Sequence, residues 1–435
     1  MSGDMDLSNL HPKTVIRKLR EYARKLWVRV ALMGLMAFVA LGLTQLIEPL
    51  VPVKIASYLT GSAADRLLQI IANAMLSVTI FSITVMVTVY RSSSTQWTPR
   101  VHRLIVQDKT TQNTMAVFIG AYVYALVAII LRELGIYVDD RALVLFCMTV
   151  LVLVVIVVYL IRWVLHLQTF GSLIDTTRQI EKVTRAQFRE RLENPCLGAH
   201  ALTGDAPEGA VTIAAQESGY IQHIYPEALN TLAEEHGLEI YLTRNIGQFV
   251  FINEPLLVVD GKDELDEDLI AEIRESIVLG DLRTYDQDPR FGLVVMGEVA
   301  SKALSPGVND PGTAIDVITR IGRILSDYSD EVSRDREETL DRLHVRPLDP
   351  RDLIDDGFGA LARDGQAVVE VQQRLQVILS GLMRHPDEGL RDAARAAARL
   401  YLERSLAATA FAPDRERIWS SADEDVREGL STERD

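Results

Sequence analysis

The chain has 435 residues, 48% of them hydrophobic, a formal net charge of −15 and only two cysteines. Two cysteines exclude a disulfide framework, and the surplus of acid excludes a nucleic-acid partner, whose phosphates it would repel. The charge is unevenly placed: residues 1–196 hold 21 Lys and Arg against 13 Asp and Glu, net +8, whereas residues 197–435 hold 24 against 47, net −23.

Residues 1–26 read as a basic amphipathic segment with Lys13, Arg17, Lys18, Arg20, Arg24 and Lys25. Such a segment suits the surface of an anionic bilayer. Four apolar stretches follow, at 27–47, 67–90, 115–131 and 142–165. Each reaches or approaches the length that crosses a hydrocarbon core of about 30 Å. A helix there satisfies its own backbone polar groups, so residues 27–168 are expected to form a four-helix transmembrane domain. Lys and Arg gather before the first stretch, between the second and third (Arg91, Arg100, Arg103, Lys109) and after the fourth. The excess of positive charge on cytoplasmic connections then predicts a multi-pass protein of the cytoplasmic membrane with both termini inside. The first stretch lacks a small-residue cleavage site and reads as a retained anchor.

The stretches differ in character. The fourth is apolar on every face. The second carries Gln69, Asn73, Ser77, Thr84 and Thr88, which at 100° per residue fall in one sector of about 100°. Two readings compete for this stripe. Its hydroxyls bond to backbone carbonyls while Asn73 joins neighbouring helices, or the stripe lines a water-filled path around an oligomer axis. In the third, Gly120, Ala121, Tyr122, Tyr124 and Ala125 favour close helix contact. Thr98 and Pro99 suit the start of a short basic helix lying along the inner membrane surface.

Residues 169–196 read as a connecting helix and residues 197–262 as a β-rich module. The strand rhythm of that module resembles the barrel-sandwich modules of biotinyl and lipoyl carriers, without their exposed modifiable lysine. Residues 263–412 read as a helical domain, including a helix at 269–278, and residues 413–435 as a loose acidic tail. The fold class expected is therefore a membrane protein with four transmembrane α-helices, followed by an α+β cytoplasmic domain made of a small β-barrel-sandwich-like module and a helical bundle.

The sharpest local motif spans 303–314, A-L-S-P-G-V-N-D-P-G-T-A. Asp310 is placed to cap a helix whose first residue is Pro311. Backbone N–H groups at such a helix start can hold an anion, with Ser305, Gly307, Asn309, Asp310 and Thr313 as ligand-binding candidates. The competing reading is a helix–turn–helix corner already satisfied by Asp310. This motif, with S-S-S-T-Q-W-T-P-R-V-H-R at 92–103 and F-I-G-A-Y-V-Y at 118–124, resembles the bacterial predicted membrane protein family DUF2254. The resemblance covers nearly the whole chain. It implies four spans followed by a cytoplasmic domain and lends no activity.

Phosphate-cradling, dinucleotide-binding and nucleophile-elbow motifs are missing. The eight histidines show no pair at metal-ligand spacing. The expectation is a protein that is not an enzyme and needs no cofactor or metal, with the lipid bilayer, other copies of itself and ions as partners. Four spans are few to enclose a central path, so closure around one needs several subunits. The leading reading is an oligomeric ion channel or channel-like conduit lined by the second span, with the acidic domain as a cation-gathering vestibule. The alternative is a non-conducting membrane-anchored sensor or scaffold that binds a small ligand or partner near residues 305–313.

Overall fold

The computed structural model describes residues 61–106, 108–134, 142–332 and 340–432, together with six helical positions between 28 and 39. Apart from those six, the basic segment and the first apolar stretch lie outside the described residues. The chain divides into two units, Met1–Asp175 and Thr176–Asp435.

In the first unit, α1 (Gly61–Gln96), α2 (Pro99–Val106), α3 (Lys109–Glu133) and α4 (Ala142–Leu167) follow one another. Among the described residues three stretches, Ala63–Ser93, Pro99–Glu133 and Leu145–Leu167, are long and apolar enough to cross a membrane. The expected span at 27–47 is not among them, because it falls almost wholly outside the described residues. Met115, Phe118, Ala121, Tyr124, Ala125 and Ala128 bury most of the circumference of α3, since small side chains let neighbouring backbones come close. Leu68, Ile71 and Met75 of α1 and Leu145, Val152 and Ile156 of α4 share the same core. The Tyr124 hydroxyl meets the Thr149 hydroxyl of α4 at 3.2 Å, so a buried polar pair joins two apolar helices.

The second unit begins within α5 (Leu173–Glu193). There follow β1 (Ala199–Ala201), β2 (Val211–Ala214), β3 (Gly219–Ile224), α6 (Pro226–His236), β4 (Glu239–Leu242), β5 (Phe249–Val250), β6 (Pro255–Asp260), α7 (Glu267–Glu275) and β7 (Ile277–Gly280). Helices α8 (Pro289–Ala303) and α9 (Pro311–Leu325) precede β8 (Leu340–Val345). The chain continues through α10 (Pro350–Ile354), a π-turn (Asp355–Gly359), α11 (Ala360–Asp364), α12 (Val369–Leu382), α13 (Glu388–Ala408), α14 (Ala412–Ser421) and α15 (Glu424–Thr432).

The β-rich region is not a barrel sandwich. Its strands form a five-stranded sheet, β1-β8-β4-β6-β2, and a three-stranded sheet, β5-β3-β7. The sheet is completed by β8, which lies far beyond residue 262 and runs parallel to both neighbours, Ile240 opposite Leu343 and Ala201 opposite Val345. Leu340, Leu343 and Val345 enter the same core as Ile213, Ile240, Leu257 and Val259. That burial explains why β8 takes the interior position.

Two further expectations change. The helix placed at 269–278 ends at Glu275, and Ile277–Gly280 instead pairs with β3. β-Branched Ile277 and Val278 suit the pleated surface better than another helical turn. The acidic tail is not loose up to Thr432: it forms α14 and α15, and Ile418, Val426 and Leu430 of these helices are buried together with Ala422 between them. These apolar positions recur at a spacing of four, which the surrounding charge obscures.

Candidate functional site

The stripe of α1 begins beside an ion pair. Asp65, one turn before Gln69, pairs with Arg132 of α3, and Gln69, Asn73 and Ser77 follow at successive turns. All five stripe residues, Gln69, Asn73, Ser77, Thr84 and Thr88, are exposed. They lie opposite the face on which Ala64, Leu68, Ile71 and Met75 enter the core. The structure therefore gathers the predicted side chains on one face and leaves that face uncovered among the described residues.

Not all of the stripe is available for new hydrogen bonds. Ser77 donates to the Asn73 carbonyl at 3.2 Å, Thr84 to Ile80 at 2.9 Å and Thr88 to Thr84 at 2.8 Å. These are the local bonds that a helix offers a hydroxyl. Gln69 and Asn73 are different: each amide carries two donors and an acceptor, more than one backbone carbonyl can answer. Thr79 and Ser82 are buried on the opposite face, and their hydroxyls have no partner among the described residues.

A polar cluster at the other end of α1 is assembled from several elements. Asp108 caps α3, accepting from the Thr111 amide and hydroxyl at 2.7 Å each, and it meets Nε2 of His166 in α4 at 3.1 Å. Ser93 of α1 lies 2.8 Å from Nδ1 of His102 in α2, and the Tyr90 hydroxyl donates to the Val106 carbonyl at 3.4 Å. Only the cap had a local signal in the sequence, an Asp followed three residues later by Thr.

The motif at 303–314 forms a closed corner between α8 and α9. Ser305 donates its hydroxyl to the Lys302 carbonyl at 2.7 Å. Asn309 adopts a left-handed φ of 51°, and the Asp310 amide reaches back to the Ala303 carbonyl at 2.8 Å. The Asp310 carboxylate accepts from the amide and hydroxyl of Thr313, which hold it below the usual carboxylate range. Gly307 and Asn309 are exposed. The candidates are thus brought together, with the hydroxyls of Ser305 and Thr313 and the Asp310 carboxylate bonded within the corner.

An ionic network at the other end of α8 has no local signature in the chain. Asp288, 2% exposed, accepts from the amides of Arg290 and Phe291 at 3.1 and 3.0 Å and from Arg283 at 3.0 and 3.1 Å. Arg290 reaches Asp356 at 2.6 Å and also pairs with Asp352. Burial pushes the carboxyls of Asp288 and Asp356 up, while the neighbouring arginines oppose the shift. The π-turn carries Asp356 into this network, and a Cβ at Gly297 would lie 2.9 Å from the Gly357 carbonyl. The sheet also brings together histidines that are distant in sequence. His200 and His344 stack at 5.2 Å, and Tyr241 lies 4.4 Å beyond His344.

Comparison with known proteins gives the chain a setting. The profile described as "Predicted membrane protein (DUF2254)" matches residues 23–380. Uncharacterized proteins of Mycobacterium bovis and of Mycobacterium tuberculosis strain H37Rv are each 25% identical to it over 302 residues. Each alignment covers 64% of this chain and 56% of the relative, so the chain spans little more than half the length of the curated relatives it matches. No solved structure matches the chain.

Proposed function

The chain belongs to the DUF2254 family of predicted membrane proteins, and from that premise we propose that several copies assemble in the bilayer as a conduit for ions, with α1 lining the path. The observation that carries this reading is the exposure of Gln69 and Asn73 on a helix long and apolar enough to span a membrane. Hydrocarbon cannot answer a primary amide, and leaving one there costs several kcal/mol. Water or the same face of another copy relieves that cost, and a ring of copies supplies both.

The stripe gives such a path graded chemistry. The Asp65–Arg132 pair stands at one end, amides follow at Gln69 and Asn73, and locally bonded hydroxyls continue to Thr88. The surplus acid of residues 197–435 would raise the local concentration of cations. The Lys and Arg distribution supports a cytoplasmic membrane with both termini inside. In this reading the chain conducts and does not catalyse. The sensor alternative would draw on the 305–313 corner, whose internal hydrogen bonds lend it little.

The test is single-channel recording of the purified full chain in planar bilayers, beside Asn73→Leu. Discrete currents altered by the substitution support a path lined by α1. Silence from folded protein across voltages and membrane tension overturns the proposal.

A further inference from the structure

The turn that follows β5 carries apolar side chains into solvent on a backbone held from within. Along β5 and the residue after it, strand alternation sends Val250 into the core and leaves Phe249 and Phe251 outside. Phe249, Phe251 and Ile252 are 39, 59 and 55% exposed. The Phe249 ring meets Tyr220 of β3 at 5.1 Å and Phe251 at 5.0 Å, both edge to face. The turn satisfies its own amides. Phe251 donates to the Glu254 carboxylate at 3.0 Å, Ile252 to the Ser218 hydroxyl at 2.9 Å and Asn253 to the Ala215 carbonyl at 2.9 Å. The Glu254 amide returns to the Phe251 carbonyl at 3.0 Å, and Arg244 lies 3.9 Å from the Glu254 carboxylate.

A contiguous apolar run on a rigid turn is costly to leave in water. These exposures leave about 300 Å² uncovered, well short of the roughly 800 Å² per partner that a stable protein interface takes. A second copy is disfavoured on another ground. Adding a strand at β5, an edge of its sheet, needs open amides, and those of residues 251–253 are taken. Lipid requires neither a large area nor open donors. It requires that the backbone amides entering it be already satisfied, and at this turn they are. Leu167 ends the last apolar stretch and Thr176 opens the second unit, so the turn is tethered at high effective concentration to any bilayer that the first unit spans.

We propose that Phe249, Phe251 and Ile252 form a membrane-docking tip, whose side chains lie at the boundary between headgroups and acyl chains. Apolar burial drives the contact. Charge opposes it, because residues 197–435 carry a surplus of acid that anionic headgroups repel, so zwitterionic lipid is the preferred surface. Docking at this tip needs only a bilayer beside the chain and is independent of conduction.

The experiment uses the full chain in phosphatidylcholine nanodiscs, with an environment-sensitive NBD fluorophore on Ile252→Cys. The background is Cys147→Ser, because Cys147 is exposed, and Cys196 stays because it is buried. The reference label sits on Gly204→Cys, an exposed position where an added side chain meets nothing within 4 Å. Doxyl groups on the lipid chains should quench the label at 252 at least about threefold more strongly than the label at 204, and iodide in the water should quench it less. Adding Phe251→Ser should bring the label at 252 down toward the reference. Equal doxyl quenching at 252 and 204, or quenching at 252 that survives Phe251→Ser undiminished, would overturn the proposal. A label shielded from both doxyl and iodide would also overturn it, by placing a second copy on the tip. Phe251→Cys repeats the measurement at a second exposed position, so the decision does not hang on the folding of one variant.

Discussion

The two carboxylate oxygens of Asp310 are divided between the amide and the hydroxyl of Thr313, at 3.1 and 2.5 Å. This pairing closes the corner at the start of α9 and lowers the affinity of the carboxyl for a proton in the folded state. Asp310→Ala should cost about 1 kcal/mol of stability at neutral pH, measured by urea unfolding of the full chain in detergent. The sign with pH follows from linkage. The carboxylate's contribution is complete above its ordinary pKa of 3.8 and is lost as pH falls through the lower folded-state value. The gap between wild type and Asp310→Asn should therefore narrow on acidification; a gap that widens contradicts the cap.

The proposed conduit should distinguish amides from hydroxyls on α1. Thr88 already donates to Thr84 within the helix, so Thr88→Val removes a group whose donor is locally engaged. Its effect on single-channel conductance should be small beside that of Gln69→Leu or Asn73→Leu. Equal effects at all three positions would mean that side-chain size, not polarity, governs the path.

Arg191 and Glu331 form a buried pair, 7% and 0% exposed, in which Glu331 also accepts from the amides of Cys196 and Leu348 at 3.1 and 2.6 Å. Arg191→Met leaves that carboxylate buried without its cation. A loss of about 3–5 kcal/mol is expected, read from the urea midpoint at constant slope. A loss below 1 kcal/mol would show that the two backbone amides suffice to hold Glu331.

Ile418 is fully buried although it lies in a strongly charged segment. Ile418→Ala should cost about 2–5 kcal/mol and make residues 412–432 cleavable by trypsin, with the wild type expected to resist. Rapid cleavage of both proteins at the same sites would restore the view of a loose tail.

Two glycines make a paired test. At Gly297 an added methyl would meet the Gly357 backbone, whereas at Gly307 nothing lies within 4 Å. Gly297→Ala should destabilise by about 1–3 kcal/mol, and Gly307→Ala should lie within about 0.5 kcal/mol of wild type. The comparison by thermal unfolding fails if their order is reversed.

Local pattern made much of this chain legible. Apolar runs marked α1, α3 and α4, and Gly237, with its φ of 67°, closes α6 by chemistry local to one residue. Asp310 and Pro311 fixed the start of α9 through chemistry contained in four residues. What escaped depends on distance along the chain. The Arg283–Asp288–Arg290–Asp356 network draws on residues that share no period, and His200 meets His344 only because β1 and β8 pair. The stripe on α1 was visible as a periodicity, but its division into engaged hydroxyls and open amides depends on rotamers. The resemblance to barrel-sandwich modules failed because strand rhythm does not say which strand comes to lie beside which.

The parallel placement of β8 between β1 and β4 sets a timetable for synthesis. When Asp260 emerges from the ribosome, the sheet still lacks β8, an interior strand, and that place cannot be filled until Val345 has been made. Through that interval β1 and β4 present open edges, the state in which strands pair with the wrong partner. The first apolar stretches have by then emerged, so the nascent chain is already committed to a bilayer while its C-terminal sheet is unfinished. A ribosome pause between β4 and β8 would thus prolong a species liable to swap strands with neighbouring copies on the same membrane.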